Sequence, residues 1–273
     1  MSSSPHPTDP SKFHIFLLMG QSNMTGYGGV VAGDPYLPGD KDPVPGVWVL
    51  DGQGTTDDPK PLEPILWRPG SHRLHLRQDT SQFGLGMDFA KTYLKTHPGV
   101  TVGLIPCAWG GAPIDDLKKG RPLFTNAVAR LQFARTQGVI RGVLWHQGES
   151  DTVTPALVDS YEMKLRTLIA DIRQEAADPH LPFVIGNLAE FYGVNPDHGS
   201  RIARINQLRG ILYKVGTEGP DTAFVPSTGL MACDGTQVHF NRASYIIFGQ
   251  RYAEAMTAIQ LRQNQQRPGI GSR

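Results

Sequence analysis

Continuous apolar runs recur along the chain, separated by polar or amphipathic stretches. A run without alternating polar positions is typical of a strand that is covered on both faces, as in a parallel sheet. Between several runs, apolar residues recur at helical spacing, so that Val158, Tyr161 and Leu165 share one face. The pattern predicts strands at 13–19, 47–50, 100–105, 139–145, 183–188 and 223–225, and helices near 84–95, 123–136, 156–176, 200–214 and 243–262.

Strands that alternate with helices favour an α/β fold with a doubly wound sheet. We predict a single domain over 12–263, with flexible tails at 1–11 and 264–273. The passage 26–82 is rich in Gly and Pro and contains only one predicted strand. Loops this long in a compact domain are usually functional or disordered. We expect this passage to form a wall beside a functional site, with a structural surface loop as the alternative.

Composition narrows the class of protein and its partners. The 273 residues include 31 Gly and 22 Pro, yet 39% are hydrophobic, so elaborate loops should surround a large core. A net charge of +1 gives no general attraction to nucleic acid or to an anionic membrane, and neither partner is predicted. The start, MSSSPHPTDP, has no signal-peptide pattern. We expect a cytoplasmic protein, or a secreted one whose export signal lies outside this sequence. Cys107 and Cys233 allow two buried thiols or one disulfide.

Candidate site residues follow three of the predicted strands, at the strand ends where ligands bind in an open α/β sheet. Ser22 comes just after the first strand, and a following turn or helix could present its hydroxyl beside backbone N–H groups. The Gly pair at 110–111 follows the third strand and would let the backbone approach a ligand. Gln147 and Glu149 follow the fourth strand and point the same way if the chain is extended. Turns and caps explain each segment equally well when it is taken alone.

Histidines suggest two further roles. His239 lies in the loop before the last predicted helix, where it could be a general base or a structural residue. The H-x-x-E spacing of His146 and Glu149 occurs in metal sites, but no third ligand is apparent in the sequence, so no metal is predicted.

Together these segments resemble the SGNH (GDSL-like) hydrolase superfamily, and most closely carbohydrate esterase family 6 and the sialate O-acetylesterase-like domains. The resemblance rests on GQSNM at 20–24, the segment 106–111, HQGESD at 146–151 and the segment 234–241, in the family's order. It implies a flavodoxin-like three-layer α/β/α sandwich with a five-stranded parallel sheet. It also implies hydrolysis of acetyl esters on sugars, such as acetylxylan or a sialic acid, without metal or cofactor.

The resemblance also implies roles for individual residues. Ser22 matches the nucleophile and His239 the general base. The N–H of Ser22, the N–H of Gly111 (favoured over Gly110) and the Gln147 side chain match the oxyanion hole. Trp109 could stack on a sugar ring or belong to the core. Gln21 and Asn23, which flank the nucleophile, are expected to contact substrate.

The chain departs from the superfamily at the acid of the triad. An Asp usually stands three residues before the catalytic His, and here that position is Thr236. Glu149, which matches the acid of some related members, is our preferred partner for His239. Asp234 is the alternative, and a weaker Ser–His dyad is the third possibility. Two rival functions also remain: a non-catalytic carbohydrate-binding module on an esterase fold, and a general short-chain carboxylesterase.

Overall fold

The computed structural model describes residues 9–28, 34–57, 65–76, 82–194, 196–233 and 237–266, with the side chains of 196–198 excepted. Within these ranges the chain forms seven strands and seven α-helices. The strands are β1 (Phe13–Gly20), β2 (Val47–Leu50), β3 (Trp67–Pro69), β4 (Thr101–Pro106), β5 (Val139–His146), β6 (Phe183–Gly186) and β7 (Thr222–Val225). The helices are α1 (Ser22–Thr25), α2 (Gly86–Thr96), α3 (Ile114–Leu117), α4 (Pro122–Arg135), α5 (Pro155–Ala176), α6 (Ile202–Glu218) and α7 (Arg242–Gln266).

All seven strands belong to one sheet, in the order β3-β2-β4-β1-β5-β6-β7. Every neighbouring pair is parallel except β2 and β3, which are antiparallel. The eight residues of β1 are all buried, as expected for a central strand that helices cover on both faces. The α/β fold class predicted from the sequence is confirmed.

The expected number of strands was too low. The resemblance implied five parallel strands, and β4-β1-β5-β6-β7 has the flavodoxin-like order of such a sheet. Two more strands, β2 and β3, extend one edge, and both come from the passage 26–82. The apolar pattern alone predicted six strands, including β2. It missed β3, which is three residues long and has no buried residue.

Helices cover both faces of the sheet. On one face α2 packs against α7, and on the other α4 and α5 are neighbours, as are α5 and α6. The α2–α7 contact is so close that a Cβ atom at Gly249 would lie 2.4 Å from the backbone oxygen of Leu85. A glycine is therefore required on α7 at this contact.

Regular structure reaches into both of the segments that we predicted as tails, 1–11 and 264–273. Residues Pro10–Lys12 form a 3₁₀ helix, and α7 continues through Gln266, because both segments retain regular backbone hydrogen bonding. Residues 1–8 and 267–273 lie outside the described ranges. The two cysteines, Cys107 and Cys233, are buried and form no disulfide. In the described part of the chain, we find no helix with the length and apolarity needed to cross a membrane.

The passage 26–82 is attached to the start of α7. Asp34 Oδ2 accepts a hydrogen bond from the backbone N–H of Arg242 at 2.7 Å. The guanidinium of Arg242 in turn donates two hydrogen bonds to the carboxylate of Asp40, at 2.6 and 2.7 Å. Since α7 begins three residues after His239, these bonds hold the passage next to one of the predicted site residues.

Candidate active site

The carboxyl ends of three adjacent strands bring the predicted segments together. Strands β4, β1 and β5 are neighbours, and Gly20 at the end of β1 is paired with His146 at the end of β5. Ser22, Gly111 and Glu149 follow these ends and line a cavity of 420 Å³. His239, from the loop before α7, lines the same cavity.

Ser22 and His239 are in direct contact. Nε2 of His239 lies 2.9 Å from Oγ of Ser22, a hydrogen-bonding distance. Ser22 is the first residue of α1, and β1 leads into it through Gly20, whose φ is +140°. A Cβ atom at Gly20 would lie only 2.0 Å from the backbone oxygen of His146. Glycine is therefore needed for β1 to turn here and present Ser22 to the cavity.

The His239 ring is held against an aromatic face. Tyr27 stacks on it with the ring centroids 3.9 Å apart and the planes 12° from parallel. Burial lowers the pKa of His239 below its ordinary value of 6.5, and the negative charge of Glu149 offsets part of this effect. The imidazole is therefore neutral near pH 7, as a general base must be.

Glu149 lines the cavity together with Ser22 and His239 and is almost fully buried, with 4% of its surface exposed. Its Oε1 accepts a hydrogen bond from Asn23 Nδ2 at 2.7 Å and lies 3.6 Å from His146 Nε2. Burial raises the pKa of Glu149, but His146 and Asn23 outweigh burial, so the pKa is lowered. Neither Glu149 oxygen is hydrogen bonded to His239 within the described residues. Its effect on His239 is through charge.

Asp234 and Thr236 both lie outside the described residues. Glu149 stays our preferred acid, because its buried charge acts on His239.

Asn23 does not line the cavity, although we expected it to contact substrate. It has no exposed surface. Besides Glu149, its Nδ2 donates to the backbone oxygen of Val238 at 3.0 Å, and its Oδ1 accepts from Phe240 N at 3.3 Å and from Tyr245 OH at 2.9 Å. Asn23, which follows Ser22 in α1, thus connects this helix to the segment that carries His239.

Gln147 is also placed differently from the expected oxyanion donor. Its side chain is fully buried and does not line the cavity. Nε2 is directed to Gln21 Oε1 at 3.0 Å, to the Ala112 oxygen at 3.1 Å and to Asp151 Oδ2 at 2.6 Å. Because an amide nitrogen has only two hydrogens, these acceptors leave none for a substrate. This geometry does not support Gln147 as a direct oxyanion donor.

Gly111 and Trp109, which follow β4, differ in whether they line the cavity. Gly111 has a φ of +73°, and a Cβ placed on it would have no atom within 4 Å, so its backbone borders open space. Trp109 is half-buried, packs against the core and does not line the cavity. For Trp109 the core alternative fits this structure.

Several residues that line the cavity were not singled out from the sequence: Tyr27, Val153, Tyr192, Arg201 and Val238. Tyr27 belongs to the passage 26–82, and its presence here supports the expectation that this passage borders the site. Arg201 precedes α6 and makes no hydrogen bond or ion pair within the described residues. That Arg201 lies at the cavity without a partner among the described residues is seen only in the folded chain, so the sequence could not identify it as a site residue.

A larger cavity of 600 Å³ lies between α5 and α6, near the amino end of β7. Arg173 and Val215 are among the residues that line it, and none of the predicted catalytic residues does. Ligands of open α/β sheets bind at the carboxyl ends of strands, so the smaller cavity beside Ser22 is the candidate active site.

Comparison with known proteins identifies the family of this chain. The family model described as "Carbohydrate esterase, sialic acid-specific acetylesterase" matches residues 12–258. A probable carbohydrate esterase of Arabidopsis thaliana is 35% identical over 192 residues, which cover 65% of this chain and 69% of that protein.

Solved structures share the fold. An Arabidopsis thaliana protein solved by X-ray crystallography has a TM-score of 0.75 and 26% identity, with 91% of this chain and 99% of that chain covered. A carbohydrate acetylesterase from Xanthomonas citri has a TM-score of 0.66 and 20% identity, with 90% and 56% covered.

The fold and the family match define the class of protein: it is an esterase built on a doubly wound α/β sheet. The chain belongs to the carbohydrate esterase family of sialic acid-specific acetylesterases.

Proposed function

We propose that this chain is a serine carbohydrate esterase that removes O-acetyl groups from sugars through an acetyl-enzyme intermediate on Ser22. The single observation that carries the proposal is the 2.9 Å contact between Ser22 Oγ and His239 Nε2 at the cavity. A hydroxyl next to a neutral imidazole is the arrangement that activates a serine nucleophile.

The reaction has two steps. His239 accepts the proton of Ser22 while Oγ bonds to the acetyl carbon, and the carbonyl electron pair moves onto its oxygen. When this pair returns, the bond to the sugar oxygen breaks, and His239 gives its proton to the departing alcohol. His239 then takes a proton from a water molecule that attacks the acetyl carbon. The bond to Ser22 Oγ breaks, His239 returns the proton to Oγ, and acetate leaves.

Backbone donors support this reaction. In the described residues, the N–H groups of Ser22 and Gly111 donate no hydrogen bond, and both residues line the cavity. Unused donors that border a nucleophile are suited to an oxyanion. The buried carboxylate of Glu149 would stabilise the imidazolium that forms on His239, which is the role of a triad acid.

The cavity also bears on the choice of substrate. Its 420 Å³ falls within the range of small-ligand sites, roughly 300–1,000 Å³. Arg201 lines the cavity and has no partner among the described residues, which favours an acetylated sugar that carries a carboxylate over a neutral acetylated xylan. With Arg201→Gln, we expect KM for an acidic acetylated sugar to rise about tenfold, as for the loss of one charged contact of ~1.4 kcal/mol. KM for acetylated xylan should not change.

The decisive experiment measures acetate release from acetylated xylan, an O-acetylated sialic acid and a simple acetyl ester. Ser22→Ala should lower kcat by at least ~10³-fold. A fluorophosphonate probe should label the native chain and not Ser22→Ala. Sugar binding with no labelling would instead support the non-catalytic binding module, and equal rates on acetyl and butyryl esters would support a general esterase.

A further inference from the structure

His146 is a buried histidine that the proposed reaction does not use. It is the last residue of β5 and has no exposed surface. Its backbone oxygen accepts a hydrogen bond at 2.9 Å from the N–H of Gln21, which lines the cavity beside Ser22. Glu149 follows three residues later, and Nε2 of His146 lies 3.6 Å from Oε1 of Glu149. The side chain of His146 therefore connects the sheet to the carboxylate of the site.

The hydroxyl of Tyr252 determines where one proton of His146 lies. The hydroxyl oxygen is 2.7 Å from the backbone oxygen of Trp145 and 3.2 Å from Nδ1 of His146. A backbone oxygen can only accept, so the single hydrogen of the hydroxyl is directed to Trp145. The hydroxyl oxygen is then an acceptor towards the imidazole, and Nδ1 of His146 carries a hydrogen. Gly186 leaves room for this contact, because a Cβ atom there would lie 2.0 Å from the Tyr252 hydroxyl oxygen.

The second ring nitrogen of His146 faces a carboxylate. Within the described residues Nε2 makes no hydrogen bond, and Oε1 of Glu149 is 3.6 Å away. Without a proton, the lone pair of Nε2 would face a negatively charged oxygen in a region from which water is excluded, which is unfavourable. With a proton, the ring is a cation beside an anion. Although burial raises the pKa of Glu149, His146 and Asn23 outweigh burial, so the carboxylate is the ionised partner.

The surroundings of this pair hold few groups that change their charge near neutral pH. The rings of Phe240 and Phe248 meet the His146 ring edge to face and cover it with apolar surface. Burial raises the pKa of each tyrosine that faces the charge of Glu149 well above its ordinary value, so all three stay neutral: Tyr161, Tyr245 and Tyr252. Arg209 is a permanent cation that donates to the backbone oxygen of Tyr192 at 2.9 Å.

Two further titratable groups lie close to Glu149 in the chain or in space. Asp151 directs its Oδ2 to Gln147 Nε2 at 2.6 Å and to the N–H of Ile114 at 3.0 Å. His239 is the group whose pKa responds to the charge of Glu149. The proton equilibria of His239, Glu149 and His146 are therefore coupled, and the pH dependence of the reaction reports on all three together.

We infer that His146 carries a proton on both ring nitrogens and is the buried counter-ion that holds Glu149 ionised in the active site. His146 does not line the cavity, so it is a positioning residue. The H-x-x-E spacing thus pairs a carboxylate with a cation that belongs to the chain itself. The inference rests on the proposed function only where it concerns reaction rates, because the charge of His146 can be measured without substrate.

The first experiment measures that charge on the native chain by two-bond ¹H–¹⁵N NMR correlation of the histidine side chains near pH 7. An imidazolium has a hydrogen on both nitrogens, whereas a neutral ring has one donor and one acceptor. The signal that is missing from His146→Gln identifies His146. We expect both of its nitrogens to be protonated, and a ring with a hydrogen on only one nitrogen would overturn the inference.

The kinetic test is His146→Gln, because the glutamine amide can still donate to Glu149 but carries no charge. Loss of a positive charge makes Glu149 and His239 hold their protons more tightly, so the site is inactivated by protonation at higher pH. We expect the acid limb of kcat/KM on an acetyl ester to move up by at least about one pH unit. At higher pH the rate should recover to within about tenfold of the native rate. An equal loss at every pH with an unmoved midpoint would show a merely structural role.

The matched control is His180→Gln. Nδ1 of His180 also lies near a carboxylate, 2.8 Å from Asp221 Oδ2, but the side chain is 45% exposed and does not line the cavity. The same substitution there should leave both kcat/KM and its pH dependence unchanged. A shift of the limb in this control as well would assign the effect to general charge and overturn the specific role of His146.

A double-mutant cycle separates action through Glu149 from independent action. If His146 acts through the charge of Glu149, His146→Gln should change the kcat/KM of Glu149→Gln at pH 6 by less than about threefold. Multiplied losses would overturn the inference. If Ser22→Ala retained its turnover, the proposed function would fail, while the NMR result would still decide the charge of His146. A neutral His146 in a chain that requires Ser22 would refute the counter-ion role alone.

Discussion

Replacing Asn23 with alanine tests whether this residue holds the active site together or contacts substrate. The change removes four hydrogen bonds at once, to Glu149, to the backbone of Val238 and Phe240, and to Tyr245. All four lie in a region from which water is excluded, because Asn23 has no exposed surface. Two of them fix the residues on either side of His239.

The magnitude follows from the character of these bonds. Three join neutral groups and contribute about 1 kcal/mol each, and the fourth reaches a carboxylate and contributes about 2 kcal/mol. The sum, about 5 kcal/mol, is an upper value, since water entering the space would restore some of it. We expect the free energy of unfolding to fall by about 3–5 kcal/mol, a large part of a typical total of roughly 5–15 kcal/mol. A displacement of His239 by ~1 Å would lower kcat about 10²-fold.

Urea denaturation and steady-state hydrolysis of an acetyl ester measure the two effects in the same preparation. Asn126→Ala is the matched control: Asn126 is also buried, but within the described residues its side chain makes a single hydrogen bond, of 3.4 Å, to the oxygen of Gly52. We expect this control to lose about 1 kcal/mol of stability and to keep its kcat.

The hypothesis that Asn23 anchors the active site fails if Asn23→Ala loses no more stability than Asn126→Ala. It also fails if KM rises while stability and kcat are retained. That second result would return Asn23 to the role expected from sequence, as a residue that contacts substrate.

The remaining predictions concern proton transfer, stacking and packing. Since burial lowers the pKa of His239 and the base must be neutral, kcat/KM should rise with pH through a midpoint below 6.5. Glu149→Gln removes a charge that raises this pKa, so the midpoint should move to lower pH while the rate falls by up to ~10⁴-fold; an unchanged pH–rate profile would contradict this. Tyr27→Ala should lower kcat about tenfold by freeing the His239 ring, with Tyr27→Phe close to native, and equal rates for all three proteins would exclude the stacking role. Gly249→Ala should lower the free energy of unfolding by about 1–3 kcal/mol in urea because its Cβ meets the Leu85 oxygen, and unaltered stability would show that α2 and α7 can separate without cost.

The sequence predicted most of the sheet because buried parallel strands are continuous apolar runs. The six predicted strands are present, whereas β3 was missed because none of its three residues is buried. The short helix α3 escaped detection for a related reason: four residues do not complete enough turns to show a period. Boundaries depended on local signals: α7 was predicted to end near 262 but extends to Gln266, two residues before the Pro268–Gly269 pair that is typical of a helix end.

The sequence indicated which residues could meet at one cavity, but not the direction of each side chain. Ser22, Gly111, Glu149 and His239 do line one cavity. A sequence does not disclose which way a side chain points when a strand leads into a turn, so Gln147 was expected at the cavity and is buried. Contacts between distant segments, such as Tyr27 on His239, are likewise set by the folded chain.

Three consecutive residues of the GQSNM motif, Gln21, Ser22 and Asn23, have different partners in the site. The chain turns sharply at Gly20 and enters α1 at Ser22, so successive side chains leave in different directions. Gln21 has its oxygen bound beneath the cavity, Ser22 meets His239, and Asn23 reaches behind the pair to Glu149. A nucleophile whose neighbours on both sides are anchored has little freedom to move relative to its base. A change at Asn23 should therefore lower stability together with kcat.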